Sequence, residues 1–158
     1  MIKVQREDFD VTKELDRLTA GNRDIGGIAT FLGVVRASKE RIDHRITAMT
    51  LEHYPGMTER QLTEIEAEAH KRWPLEETTI IHRYGRLEPG ERIVFVACAS
   101  AHRHAAFEAC AFLIDWLKTR APFWKLEETE AGERWVEARA DDGRAAARWS
   151  KGIKEAAE

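Results

Sequence analysis

The segment spanning residues 78–118 constrains the fold more than any other part of the chain. It contains two apolar stretches, residues 78–84 and 92–100, joined by Leu-Glu-Pro-Gly-Glu. Pro-Gly is a strong turn signal, so the two stretches are predicted to form an antiparallel hairpin. Residues 102–118 follow, with Phe107, Cys110, Ile114 and Leu117 on one helical stripe. Because Phe112 and Trp116 add a second stripe, we expect a helix that is covered on both sides.

The remaining patterns predict further helices and strands around this segment. A short helix is expected between Asp10 and Gly21, and a second helix over residues 57–73. Strands are expected over residues 25–35, where glycines indicate a bulge or a close backbone approach, and over residues 46–52. Residues 123–129 are predicted to be extended, and an Ala-rich charged helix is expected over about 141–158. This irregular alternation favours an α+β fold, with helices packed on a mixed, mostly antiparallel sheet.

The length and charge of the chain exclude several classes of protein. Its 158 residues fit a single domain over 1–158, and the net charge of -3 supplies no field that would select nucleic acid. No apolar stretch has the length of a signal peptide or of a membrane span, so we expect a cytoplasmic protein. Cys98 and Cys110 lie within apolar segments and are interpreted as reduced core thiols.

Motifs of common nucleotide-binding, zinc-protease and hydrolase sites are absent from the sequence. Of the six histidines, only His102 and His104 lie close together, with Cys98 as the nearest third ligand. This spacing does not resemble a zinc site, and we therefore expect neither a metal nor another cofactor.

The junction between residue 100 and the helix that follows carries His102 and Arg103. Free N–H groups and the positive end of the helix dipole favour an anion there, and Arg103 can add a bidentate phosphate contact. The alternative is that Ser100 is only the N-cap and that the basic side chains are solvated. Because cations at a helix N-terminus oppose the dipole, we favour a bound anion.

Two lysines lie near the other end of the same helix. Lys118 is 11 residues after Phe107, which places it within about 20° of the same stripe and at the end of a predicted buried face. Lys125 follows Trp124 in another apolar segment. One interpretation is a pair of lysines whose charged heads reach water. The other is that apolar surroundings and mutual repulsion prepare an amine as a nucleophile or proton carrier.

Five ordered motifs resemble those of the MoaE family, the large catalytic subunits of molybdopterin synthase. They cover nearly the whole chain: Phe31-Leu-Gly-Val-Val-Arg36, Leu51-Glu-His-Tyr-Pro-Gly-Met57, Ile81-His-Arg-Tyr-Gly-Arg-Leu-Glu-Pro-Gly-Glu91, Ser100-Ala-His-Arg-His-Ala-Ala-Phe107 and Leu117-Lys-Thr-Arg-Ala-Pro-Phe-Trp-Lys125.

This resemblance implies a sulfurtransferase with an α/β hammerhead-type fold. The enzyme would convert the cyclic pyranopterin monophosphate called precursor Z into molybdopterin by adding the dithiolene sulfurs. The sulfur would arrive as a thiocarboxylate on the C-terminal Gly-Gly of a small ubiquitin-like subunit, within a heterotetramer built on a dimer of large subunits. The family's catalytic lysines correspond to Lys118 and Lys125, and its substrate-binding residues to Arg36, His102, Arg103 and Arg139.

The spacing of these residues has a consequence for the oligomer. Fifteen residues of helix separate Arg103 from Lys118, a span of roughly 22 Å that is too long for both to hold one small pterin. If both serve one site, they come from different subunits. The rival interpretation is a non-catalytic anion-binding or scaffold module that holds the tail of a partner protein.

Overall fold

The computed structural model describes residues 1–37, 45–136 and 140–149, and these residues form four helices and eight strands. In chain order the elements are β1 (Ile2–Gln5), α1 (Val11–Thr19), β2 (Gly27–Val34), β3 (Ile46–His53), α2 (Met57–Arg72), β4 (Glu77–Arg83), β5 (Gly85–Leu87), β6 (Arg92–Ser100), α3 (Arg103–Thr119), β7 (Phe123–Thr129), β8 (Gly132–Val136) and α4 (Ala140–Ala147).

The described strands form two four-stranded sheets. The first sheet has the order β1-β4-β6-β2, with β1 parallel to β4 and the other pairs antiparallel. The second sheet, in the order β5-β3-β7-β8, is antiparallel throughout. The predicted α+β class and the hairpin of β4 and β6 are confirmed. The strands are divided between two sheets because β5, within the hairpin connection, pairs with β3.

The first sheet is covered on both faces, as the alternation along its central strands requires. On one face, Ile80 and Val96 pack in the main core with residues of α2 and α3. On the other face, Ile81 and Phe95 pack with Leu18 of α1. The long helix α3 therefore lies on a sheet whose far side is itself buried, which gives it a rigid base.

Both terminal helices agree with their sequence patterns where the structure describes them. The Asp10 carboxylate caps α1 by accepting hydrogen bonds from the N–H groups of Thr12 and Lys13, at 2.9 and 3.2 Å. The predicted C-terminal helix is present as α4, and residues 150–158 of that prediction lie outside the described residues. Among the described residues, no helix has the length and apolarity needed to cross a bilayer.

Candidate active site

The N-terminal end of α3 presents three consecutive basic side chains to solvent. His102 is the N-cap residue and makes no capping hydrogen bond through its side chain. His102, Arg103 and His104 are all exposed. The first turn contains no acidic residue, so nothing within it offsets the positive end of the helix dipole. Exposed cations at a helix N-terminus are the features on which the prediction of an anion site rests, and that site stays a prediction.

The backbone around this end is fixed by a glycine and a serine. A Cβ at Gly26 would overlap the carbonyl oxygen of Ala101, so only glycine allows this approach. This is the close contact that the glycines predicted. The Ser100 hydroxyl donates to the Pro74 carbonyl at 2.7 Å and accepts from the His102 N–H at 3.3 Å. Ser100 therefore anchors the junction, while the N-cap position belongs to His102.

The C-terminal end of α3 corrects one prediction. Cys110, Ile114 and Leu117 are buried as expected, but Phe107 is 63% exposed and Lys118 is exposed. The helical period places Phe107 and Lys118 on one side, yet no part of the described chain covers that side. Lys118 therefore does not end a face that is buried by the described residues.

Lys125 has a more enclosed setting on β7. Its side chain is half-buried, and its Nζ lies 3.7 Å from Oε1 of Glu127, two residues further along the same face. Glu127 is only 5% exposed and also accepts hydrogen bonds from the Arg134 guanidinium, at 2.9 and 3.2 Å. Neither Glu127 nor Arg134 was predicted from the sequence. Period-two spacing along residues 123–129 was the signal that could have found Glu127.

The predicted site residues are divided between the two ends of α3. The helix α3 follows β6 and packs back on β6 and β2, so it runs opposite to β6. Because β2 is antiparallel to β6, α3 and β2 run in the same direction. Gly27 at the start of β2 lies near Arg103, whereas Arg36, which is exposed, follows the far end of β2 toward Lys118. His102 and Arg103 thus lie at one end, with Arg36 and the lysines at the other. Arg139 lies outside the described residues.

Two adjoining cavities lie beside α3. The first, of about 320 Å³, lies between α2, α3 and α4 and is lined by Phe112, Trp116 and Trp149 among others. The second, of about 440 Å³, shares Ile65, Trp116 and Arg120 with the first. Within the described part of the chain, no predicted site residue lines either cavity.

Cys98 and Cys110 are both buried and free, which confirms their interpretation as reduced core thiols. A hydrogen bond with Cys110, together with burial, raises the pKa of the Cys98 thiol, so this group remains protonated. Within the part of the chain that the structure describes, no three His, Cys, Asp or Glu side chains are grouped so that they could hold a metal ion.

Comparison with known proteins identifies the family. The chain belongs to the MoaE protein family, whose model matches residues 4–120. It is 56% identical over 150 residues to the molybdopterin synthase catalytic subunit of Pseudomonas aeruginosa, with 95% of this chain and 99% of that protein covered.

Solved structures share the fold. The molybdopterin biosynthesis MoaE protein of Burkholderia ambifaria superposes with a TM-score of 0.81 at 50% identity, covering 95% of this chain and 97% of that chain. A protein–protein complex of subunits 1 and 2 of molybdopterin-converting factor from Helicobacter pylori contains a chain that matches with a TM-score of 0.71. That match covers 87% of this chain and 91% of the other, and at 19% identity it shows the common fold alone.

Proposed function

We propose that this chain is the catalytic subunit of a molybdopterin synthase and adds the dithiolene sulfurs of molybdopterin to precursor Z. The observation that carries the proposal is 56% identity over 95% of the chain to a catalytic subunit of this enzyme. An anion-binding end and a lysine end, brought together from two chains, fit a substrate that carries both a phosphate and reacting carbons. In the cytoplasm, where we place this reaction, the two thiols stay reduced.

The lysine end of α3 would carry out the chemistry. Lys118 is exposed and lies in the last turn of the helix, so a threaded partner tail and the pterin can reach its amine. In this proposal Lys118 acts at the thiocarboxylate either as a proton carrier or as a nucleophile, in which case its amine bonds to the tail's carbonyl carbon while the C–S bond breaks and the sulfur passes to the pterin. Lys125, held beside Glu127, stabilises the negative charge of the substrate or the tail, and Arg36 adds a further cation at this end.

The anion-binding end would hold the phosphate of precursor Z. Arg103 can grip two phosphate oxygens, while the first N–H groups of α3 and the His102 side chain supply further donors. We also assign Arg139 to substrate binding, on the resemblance to the family alone.

Both ends can serve one pterin only if two chains contribute to each site. Arg103 and Lys118 lie on one unbroken helix, so about 22 Å of helix separates their positions along the axis. We therefore propose that a homodimer forms two shared sites, each with Arg103 of one subunit and Lys118 of the other.

A partner subunit would supply the sulfur. The Helicobacter pylori structure with the same fold is a complex of two subunits, which supports a second subunit here. We propose that this partner is a small ubiquitin-like carrier whose C-terminal thiocarboxylate enters the lysine end. One carrier at each end of the dimer gives a heterotetramer, with residues 1–158 of each large subunit acting as a single domain.

Reconstitution tests this function directly. The purified chain is incubated with precursor Z and a thiocarboxylated small subunit, and molybdopterin is detected as product. A matched reaction uses the same small subunit with an ordinary C-terminal carboxylate. We expect product only with the thiocarboxylate. Binding of the small subunit without any product would instead support a scaffold that holds a partner tail.

A further inference from the structure

Two of the sequence motifs, residues 51–57 and 81–91, have no role in the chemistry described above, yet the structure brings both to Phe123. The His82 ring stacks on the Phe123 ring, with centroids 3.8 Å apart and planes inclined by 15°. His53 lies with its ring centroid 6.3 Å from that of Phe123 and 4.3 Å from that of Tyr84. Side chains from both motifs therefore surround the first residue of β7.

The backbone on either side of Phe123 is also held by these elements. His53 is the register partner of Phe123 in the antiparallel pair of β3 and β7. The buried Thr58 hydroxyl donates to the Pro122 carbonyl at 3.5 Å and accepts from the Tyr54 N–H at 3.1 Å. The link from α3 to β7 is therefore fixed by contacts from β3, β4 and the start of α2.

The His82 ring is a neutral packing group in this arrangement. Burial, with a smaller contribution from the charge of His53, lowers the pKa of His82 to about 4. Its Nδ1 lies 2.8 Å from the Arg83 carbonyl oxygen. Because a carbonyl can only accept, Nδ1 carries the proton and donates this hydrogen bond. The ring is thereby locked in one orientation against Phe123.

Phe123 in turn determines where Lys125 lies. Residues two apart in a strand point to the same face, so Phe123, Lys125 and Glu127 form one row on β7. We propose that His82 is a positioning residue for Lys125, acting through the stacked Phe123 ring that fixes the start of β7 relative to α3. This inference rests on the proposed function, because it assumes that Lys125 takes part in sulfur transfer.

Two substitutions at His82 separate the ring from its hydrogen-bonding group. His82→Phe keeps an aromatic ring for the stack and loses the hydrogen bond to Arg83, while His82→Gln keeps a polar donor and loses the ring. Ile81→Ala is the matched control, since Ile81 is a fully buried neighbour on β4 that packs on the opposite face of the sheet. Sulfur transfer to precursor Z is measured as kcat and KM for all variants, at a temperature where each is folded by circular dichroism.

We expect His82→Gln to lower kcat by about 10- to 100-fold with little change in KM for precursor Z, because misplacing a reacting group by about 1 Å is costly. His82→Phe should stay within about three-fold of the wild-type kcat, and so should Ile81→Ala. Hydrogen exchange supplies a readout independent of activity. The amides of residues 123–127 should exchange faster in His82→Gln than in the wild type, and at the wild-type rate in His82→Phe.

The outcomes distinguish this inference from the proposed function. If the wild type makes no molybdopterin, the proposed function fails, and unchanged exchange in residues 123–127 of His82→Gln still overturns the structural part. With an active wild type, an unchanged kcat in His82→Gln overturns the inference. An Ile81→Ala variant that is slowed as much as His82→Gln overturns it as well. So does a His82→Phe variant that is slowed as much as His82→Gln. If His82→Gln does not fold, Phe123→Leu removes the same stack and takes its place.

Discussion

The two ends of α3 differ in how firmly the chain holds their functional side chains. At the N-terminal end, His102 and Arg103 project into solvent from a backbone that Gly26 and Ser100 fix. Beyond the C-terminal end, Lys125 is half-buried beside Glu127, and the strand that carries it begins with a stacked, anchored ring. A phosphate can be captured by exposed cations, whereas a cation such as Lys125 that stabilises charge close to the chemistry must be held in place.

The largest loss should come from removing Lys118. We expect Lys118→Ala to lower sulfur transfer by about 1,000-fold, because it removes the group that we assign to the reacting bond. Lys71→Ala, which changes another exposed lysine in the last turn of a helix, is the matched control and should keep wild-type activity. Single-turnover assays on folded protein measure both. Rapid transfer by Lys118→Ala would refute its catalytic role.

The buried His82 ring should also make the free energy of unfolding depend on pH. In the unfolded chain His82 titrates near its ordinary value of 6.5, but in the folded chain its pKa is about 4. As pH falls from 6.5 to 4, the unfolded chain takes up a proton that the folded chain does not, so the free energy of unfolding decreases. The neutral His82 ring accounts for about 3 kcal/mol of the free energy of unfolding at pH above 6.5, and this stabilisation is fully lost below pH 4.

Urea unfolding at several pH values measures this dependence. His82→Phe has no proton to gain at this position, so its stability should fall less between pH 6.5 and 4 than that of the wild type. Parallel curves for the two proteins would show that His82 is not buried as a neutral ring.

Replacing Lys125 should have a smaller effect than replacing Lys118. If Lys125 stabilises charge on the substrate or tail, Lys125→Ala should lower kcat by about 30-fold and leave measurable transfer. Lys125→Arg, which keeps the positive charge, should recover part of the loss. Equal inactivity of Lys125→Arg and Lys118→Ala would indicate that Lys125 also needs its amine for proton transfer.

The smallest of these effects on catalysis should come from Arg103, at the N-terminal end of α3. Arg103→Ala should raise KM for precursor Z by about 10-fold, since a charge-assisted hydrogen bond contributes about 1.5–3 kcal/mol, while kcat changes less. Arg60→Ala, at an exposed arginine near the start of α2, should leave KM unchanged. A lower kcat with unaltered KM in Arg103→Ala would place Arg103 near the chemistry instead of the phosphate.

The sequence predicted the elements with long, regular patterns and missed what depends on contacts between distant segments. The period of α3 correctly placed Phe107 and Lys118 on one side of the helix. Both residues are exposed, which was not predicted because periodicity alone does not reveal whether another segment covers that side. The strand β5 has only three residues, too few to show alternation, so the division into two sheets was not predicted.

The candidate site shows the same limit. Motifs and resemblance led to candidate residues at both ends of α3, which stay predictions, and the strand–helix junction that places His102 and Arg103 formed as expected. The ion pair of Lys125 with Glu127 and the stack of His82 on Phe123 were missed. The stack joins residues far apart in the chain and depends on how the two sheets meet, which local patterns do not encode.

The central claim, that each site combines the two ends of α3 from different subunits, is tested most directly by complementation. Arg103→Ala and Lys118→Ala homodimers are mixed in equal amounts under conditions that exchange subunits, with exchange verified by mass spectrometry. In a mixed dimer one site has both groups intact and the other has neither. The assay uses precursor Z well below the wild-type KM, where Arg103→Ala homodimers should keep only about a tenth of the activity. Half of the dimers should be mixed, so activity should recover to roughly a quarter of the wild-type value if sites act independently, against about a twentieth without recovery. No recovery after verified exchange would contradict a site shared between subunits.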